Sequence, residues 1–191
     1  MVAYDRCACV KSHTKLFNMG NNLMKKTFPK ELYDFHQIEI DYRKNDIDYE
    51  PFNDFCSSIE ATDWIRSWTG NNFIDADDFL IFGQDGAGGY AAIWLKRKSD
   101  DLLQQPIVFF GSEGQLGVVA QSFYDYVWLF AGGIGPYEAV EDTCKVSSAI
   151  SKFESFAKHL SPKNKNAPPI IIKKAQEEFP NFVSQIEALC H

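Results

Sequence analysis

The stretches FLIFGQDGAGGYAAIWLK (residues 79–96) and PIVFFGSEGQLGVVAQSFYDYVWLFAGGIGP (residues 106–136) decide the fold of this chain. Each stretch contains two apolar strand candidates that are separated by a glycine-containing turn. The run at residues 90–95 is apolar on both faces, which is typical of a central strand covered on both sides. The short turn at residues 111–114 predicts an antiparallel hairpin between strands at 106–110 and 116–120.

The second stretch continues into a helix that is apolar on nearly every side. Ser122 is a suitable N-cap, the helix is predicted over residues 123–131, and Gly132 with Gly133 follows as a stop signal. Its apolar stripe is wide, so we expect the helix to be buried against the sheet. These elements predict an α+β fold with a mixed, mostly antiparallel sheet packed by helices.

The loop between the first two strands contains four glycines. A glycine-rich loop can bind a phosphate or a dinucleotide, or it can be a structural turn, and the spacing of its residues distinguishes these cases. This loop lacks the Lys-Ser/Thr ending of a phosphate-binding loop and the GxGxxG spacing of a dinucleotide fold. We therefore interpret it as a turn that requires positive φ, in which Asp85 bonds to the backbone of its own turn. The predicted structural turn residues of this loop and of the hairpin are Gly83, Asp85, Gly86, Gly88, Gly89, Gly111 and Gly114.

The residues before this core predict a basic arm and a strand. Residues 1–30 have weak periodicity and carry six Lys or Arg against one Asp, so we expect a loosely held basic arm. From Phe35 onward, Ile38 and Ile40 alternate with acidic residues. This period of two predicts a half-buried strand.

A short helix is predicted at residues 61–68. Ser57 and Glu60 have the spacing of a capping box, and a glycine follows the helix as a stop signal. Trp64 and Trp68 lie one helical turn apart on one face. Aromatic residues at this spacing favour core packing over a ligand platform.

The C-terminal third is predicted to be helical, with a solvated linker inside it. The helices are expected at residues 150–160, 170–179 and 181–190, the last of them capped by Asn181. A length of 191 residues fits one domain with extensions. We divide the chain into a basic arm at 1–30, an α+β domain at 31–160, and a linker with packed C-terminal helices at 161–191.

Composition and cysteine spacing predict a cytoplasmic protein without a metal or cofactor. No apolar run approaches the roughly 18–20 residues that span a bilayer, and the N-terminus lacks the apolar region of a signal peptide. The five cysteines are odd in number and spread over the chain, which is not a disulfide framework. Cys7 and Cys9 are also closer in sequence than the usual paired zinc ligands.

Negative charge is concentrated in residues 31–85, which contain fourteen Asp or Glu and three Lys or Arg. The formal net charge of the whole chain is −7. An acidic surface disfavours nucleic acid and favours a basic protein partner. The predicted partner-binding residues are Asp46, Asp48 and Glu50 in one loop, with Asp75, Asp77 and Asp78 ahead of a strand. Two alternatives stay open: a solvated face that only aids solubility, and a contact made by exposed aromatic residues such as Tyr49 or Phe52.

Residues that could support catalysis are scattered. His13, His36, His159 and His191 lie outside the two core stretches, and no GxSxG, HExxH or Cys-His signature is present. We therefore predict a non-enzymatic protein without catalytic residues. The alternatives are a regulatory scaffold for a host protein and a hydrolase that uses paired carboxylates.

The succession strand, G-x-D-G-x-G-G turn, strand, PIVFFGSEG hairpin and VVAQSFYDYVWLFAGG helix resembles the SUKH superfamily over about residues 64–136. That superfamily includes bacterial immunity proteins and fungal regulators of cell-wall synthesis of the Smi/Knr type. The resemblance implies an α+β fold and a non-enzymatic function, in which the protein binds and neutralises a cognate polymorphic toxin, often a nuclease or deaminase. The Leu-Pro-x-x-Tyr helix of the superfamily has its nearest counterpart at residues 28–33, without the Gly-Gly turn that follows it there.

Overall fold

In the computed structural model, which describes residues 26–41, 44, 47–141 and 147–190, five strands pair in the order in which they occur. They are β1 (Glu50–Pro51), β2 (Phe79–Gln84), β3 (Tyr90–Trp94), β4 (Ile107–Phe110) and β5 (Leu116–Ala120). The four pairings are all antiparallel. The predicted α+β fold with C-terminal helices is confirmed, and the sheet in these ranges is antiparallel throughout rather than mixed.

Helices surround this sheet. They are α1 (Lys30–His36), α2 (Ser58–Thr69), α3 (Phe123–Ala131), α4 (Pro136–Glu141), α5 (Ser151–Leu160), α6 (Pro168–Glu178) and α7 (Phe182–Glu187). Ser122 caps α3 by accepting the backbone N–H of Asp125, as the sequence predicts. The capping box of Ser57 and Glu60 is formed at α2, and Gly70 ends that helix with φ of +70°.

Both faces of the sheet are covered by helices. Along β4, Ile107 and Phe109 join the core formed with α1, α3, α4 and α5. Val108 and Phe110 point to the other face and join the core formed with α2 and α7. Burial on both faces explains why the central strands are apolar without alternation.

The C-terminal helices pack on the sheet beside β5. Helix α6 contributes Ile171 and Ile172 to the first core and Ala175 to the second, so it contacts both layers. Arg97, which follows β3, donates to the Gln121 carbonyl at 2.6 Å and to Glu178 of α6 at 2.5 Å. Helix α7 begins after Asn181, but the Asn181 side chain makes no capping hydrogen bond.

The strand predicted from Phe35 onward is wrong. Phe35 lies within α1, and residues 37–41 are irregular. Ile38 and Ile40 still pack, partly buried, against the first core, and this partial burial accounts for their alternation with acidic residues. Residues 1–25 of the predicted arm lie outside the described residues, whereas Phe28 packs on Phe55 with 4.7 Å between the ring centroids.

Candidate functional site

The predicted partner-binding residues lie at the two ends of β2. Glu50 pairs with Gln84 at the end of β2, whereas Asp75, Asp77 and Asp78 precede its first residue. At about 3.3 Å per residue, a six-residue strand separates these ends by roughly 17 Å. The structure therefore divides the residues into a turn end (Asp48, Glu50 and the turn at 83–90) and an acidic loop (residues 71–78). Asp46 lies outside the described residues.

At the turn end, carboxylates accept hydrogen bonds from backbone amides. Asp85 is 2% exposed, and its Oδ1 accepts the N–H groups of Ala87 at 3.0 Å and Gly89 at 2.7 Å. Asp48 Oδ1 accepts the N–H of Gly86 at 2.9 Å. These carboxylates hold the turn, because they satisfy donors that the tight backbone leaves unpaired.

The glycines of this turn are needed for two different reasons. Gly88 has φ of +91°, which disfavours any residue with a Cβ. A Cβ on Gly89 would instead lie 2.9 Å from the Phe110 carbonyl oxygen, so close backbone approach excludes it. The remaining predicted turn glycines comprise Gly114, with φ of +93°, and three that lie against side chains, namely Gly83, Gly86 and Gly111.

A buried polar pair lies beside the turn end. His36 Nδ1 donates to the Phe52 carbonyl at 2.7 Å, and Nε2 accepts from the Tyr49 hydroxyl at 3.0 Å. Burial lowers the pKa of His36 to about 4, so the imidazole is neutral at pH 7. Tyr49 is 1% exposed, so the alternative that treats it as an exposed contact residue is wrong. Phe52 is half-buried against Tyr90.

His36 and His159, the histidines of the described ranges, lie outside the surface grooves at α2 and at β5. Their His, Cys, Asp and Glu side chains form no group of three that could hold a metal ion. Two surface grooves have volumes of about 260 and 320 Å³, one below and one at the lower end of the roughly 300–1,000 Å³ typical of small-molecule sites. His36 lines neither groove, and His159 is exposed on α5. His13 and His191 lie outside the described residues. Within those ranges, no helix has the length and apolarity that a membrane span requires.

The acidic loop runs alongside α2 and is held in a defined conformation. Arg66 Nε of α2 donates to the Ile74 carbonyl at 2.8 Å, and the Ala76 N–H donates to Thr62 Oγ1 at 3.2 Å. Within the loop, Asp75 Oδ1 accepts the N–H of Asp77 at 3.1 Å. These contacts fix the backbone that carries the exposed acidic residues.

The carboxylates of the acidic loop are not neutralised within the described part of the chain. Asp75, Asp77 and Asp78 form no salt bridge there. Partial burial raises the pKa of Asp78, the negative charges of Asp75 and Asp77 raise it further, and Lys96 opposes them. Because these like charges repel one another, a cation brought to the loop would be stabilised.

Sequence reasoning missed the residues of α2 that face this loop. A groove of about 260 Å³ between the helix and the loop is lined by Ser58, Ile59, Thr62, Asp63, Arg66 and Asp77. Ile59 is 73% exposed, and Phe73 of the loop is 95% exposed. The available signal was the 3.6-residue period, which places Ile59 on the polar face of α2, opposite the buried Ile65.

No protein-family model, curated protein or solved structure matches this chain. The resemblance to the SUKH superfamily over residues 64–136 therefore stays an inference from the order and motifs of its elements.

Proposed function

We propose that this chain is a cytoplasmic, non-enzymatic immunity protein of the SUKH type, which binds and neutralises a cognate toxin domain with a basic surface. The observation that carries the proposal is the acidic loop. Its three carboxylates have no salt-bridge partner in the described ranges, and hydrogen bonds to α2 hold the loop in place. Such a surface is electrostatically complementary to a cationic protein.

A basic partner is expected from the chemistry of the proposed target. A nuclease or nucleic-acid deaminase binds phosphates through Lys and Arg, so the surface around its active site is positively charged. An acidic protein that covers this surface competes with nucleic acid and needs no catalysis of its own. Neutralisation requires slow release, and a nanomolar Kd corresponds to about −12 kcal/mol.

The absence of enzymatic activity belongs to the same proposal. At the turn end, Asp48 and Asp85 accept backbone hydrogen bonds and so are engaged in holding the turn. The neutral His36 is hydrogen-bonded at both ring nitrogens and is 7% exposed. Neither arrangement leaves an accessible general base.

Co-expression with the product of the neighbouring gene tests this function. The proposal expects that product to stop growth when expressed alone, and expects growth to be restored by this chain. Calorimetry with purified proteins should give a nanomolar or tighter Kd. If the neighbouring product is harmless, or if it is toxic but neither bound nor neutralised, the immunity function is refuted. Tight binding to a harmless host protein would favour the regulatory scaffold instead.

A further inference from the structure

Two large apolar side chains are exposed on α2 and on the acidic loop, and the one on α2, Ile59, lines the groove between these elements. Phe73 and Ile59 are 95% and 73% exposed, whereas Ile65 of α2 is buried and Trp64 and Trp68 are partly buried. Two hydrogen bonds fix the backbone around Phe73. The N–H of Phe73 donates to Asn71 Oδ1 at 3.0 Å, and the carbonyl of the next residue, Ile74, accepts from Arg66 Nε. An apolar side chain that is presented in this way is typical of a contact site.

The groove that Ile59 lines is negatively charged. Asp63 and Asp77 line it, with Arg66 as the cationic residue among the lining side chains. The Nε of Arg66 is already bonded to the Ile74 carbonyl. On the same loop, Asp75 and Asp78 flank Asp77 in sequence, and Lys96 lies close enough to Asp78 to lower its pKa.

We propose that this surface docks a folded protein through an exposed segment in which a basic side chain stands next to apolar ones. The basic side chain lies between Asp63 and Asp77, and its apolar neighbours cover Phe73 and Ile59. The inference depends on the proposed function only for naming this partner as a toxin. An apolar contact within a charged rim is the usual anatomy of a protein interface.

Charge distinguishes this occupant from others. A second copy that met the first through this same surface would bring identical acidic groups together, and the like charges would repel. Phosphate backbones and anionic lipid headgroups are repelled for the same reason. A basic protein segment gains from the carboxylates and from the exposed apolar side chains together.

A phage-displayed library of random 12-residue peptides, selected on the full chain, tests the surface without knowledge of the partner. We expect the selected peptides to combine Lys or Arg with apolar residues. Their Kd, measured by fluorescence anisotropy, should rise at least tenfold for the double variant Ile59→Ser/Phe73→Ser and for Asp63→Asn/Asp77→Asn. The matched controls are Tyr33→Ser, which removes another exposed aromatic residue, and Glu113→Gln in the β4–β5 turn. Both should change Kd less than twofold.

The outcomes separate this inference from the proposed function. Peptides without basic residues, or equal Kd values for the groove variants and the controls, would overturn the docking surface. Because all four side chains of the groove variants are exposed or line a groove, these proteins should melt at the wild-type temperature, and a melting curve confirms that they are folded. If the product of the neighbouring gene binds wild type and groove variants equally, the docking surface is refuted although the immunity function stands. If the groove variants lose peptide binding but that product is harmless, only the immunity function is refuted.

Discussion

The two ends of β2 are both acidic, but their carboxylates are used differently. At the turn end, Asp85 and Asp48 accept backbone N–H groups, and Asp85 is almost fully buried. In the acidic loop, Asp77 and Asp78 are exposed and carry no salt bridge within the described residues. Local acidity is therefore a poor guide to binding until the acceptor role of each carboxylate is known.

This difference has consequences for stability and for association. Residues at the turn end should control folding, because their loss leaves backbone amides without acceptors. Residues of the acidic loop should control encounter with a partner, because exposed charges act over distances of about a Debye length.

The largest effect is expected at Asp85. Asp85→Ala removes the acceptor of two backbone N–H groups, one of them on the buried Gly89, and should cost about 4 kcal/mol of unfolding free energy. Asp85→Asn keeps an acceptor oxygen and should recover most of that loss. Asp77→Ala in the acidic loop should change stability by less than about 0.5 kcal/mol. Urea unfolding measures all three, and equal losses for Asp85→Ala and Asp77→Ala would contradict the comparison.

The next effect is a loss of stability in acid that originates at His36. The folded pKa of about 4 lies below the unfolded value of about 6.5, so the unfolded chain takes up a proton first as pH falls. The contribution of His36 is fully present above pH 6.5 and is lost between about pH 6.5 and 4. The loss should amount to roughly 3 kcal/mol, measured by urea unfolding across this range.

Carboxylates also titrate in the lower part of that pH range. The contribution of His36 to acid stability is therefore obtained by comparing wild type with variants that lack a histidine. His36→Gln should show a shallower dependence of unfolding free energy on pH than wild type. His159→Gln changes an exposed histidine of α5 and should keep the wild-type dependence. Identical pH dependence in wild type and His36→Gln would show that burial of this imidazole does not control acid stability.

Replacing each of two turn glycines by Ala should cost a different amount of unfolding free energy, because a different effect opposes each substitution. Gly89→Ala places a Cβ against backbone atoms and should cost about 2–3 kcal/mol. Gly88→Ala meets no atom within 4 Å, and only its φ of +91° opposes it, so about 1 kcal/mol is expected. Thermal unfolding of the two variants measures the difference. A larger loss at Gly88 would mean that backbone conformation, and not packing, limits this turn.

Most of the central fold was predictable from local signals. The hairpin from β4 to β5, the Ser122 cap of α3 and the capping box of α2 all follow from short-range turn and cap chemistry. The strand predicted at Ile38 and Ile40 failed because partial burial against the first core produced a period of two without pairing to a strand in the described ranges. The side-chain period reports which residues are buried, but it does not report strand pairing.

The candidate site was predictable only in part. Asp75, Asp77 and Asp78 are visible as an acidic run before a strand, and their exposure follows from that position. The contribution of Asp63 and Ile59 depends on the loop folding back along α2 through Arg66, which is a tertiary contact. Likewise, the sequence does not reveal that Asp48 is bound to Gly86, 38 residues away.

The most direct test compares association rates for two double variants with the same change in net charge. Asp75→Lys/Asp77→Lys alters the acidic loop, whereas Asp100→Lys/Glu113→Lys alters exposed positions elsewhere. Stopped-flow binding to the product of the neighbouring gene, at low and high salt, gives kon for each. We expect the loop variant to associate at least tenfold more slowly at low salt, with the difference shrinking as salt screens the charges, and the other variant to change less than twofold. Equal slowing of both variants would show that net charge alone acts, and would contradict the assignment of partner binding to the acidic loop.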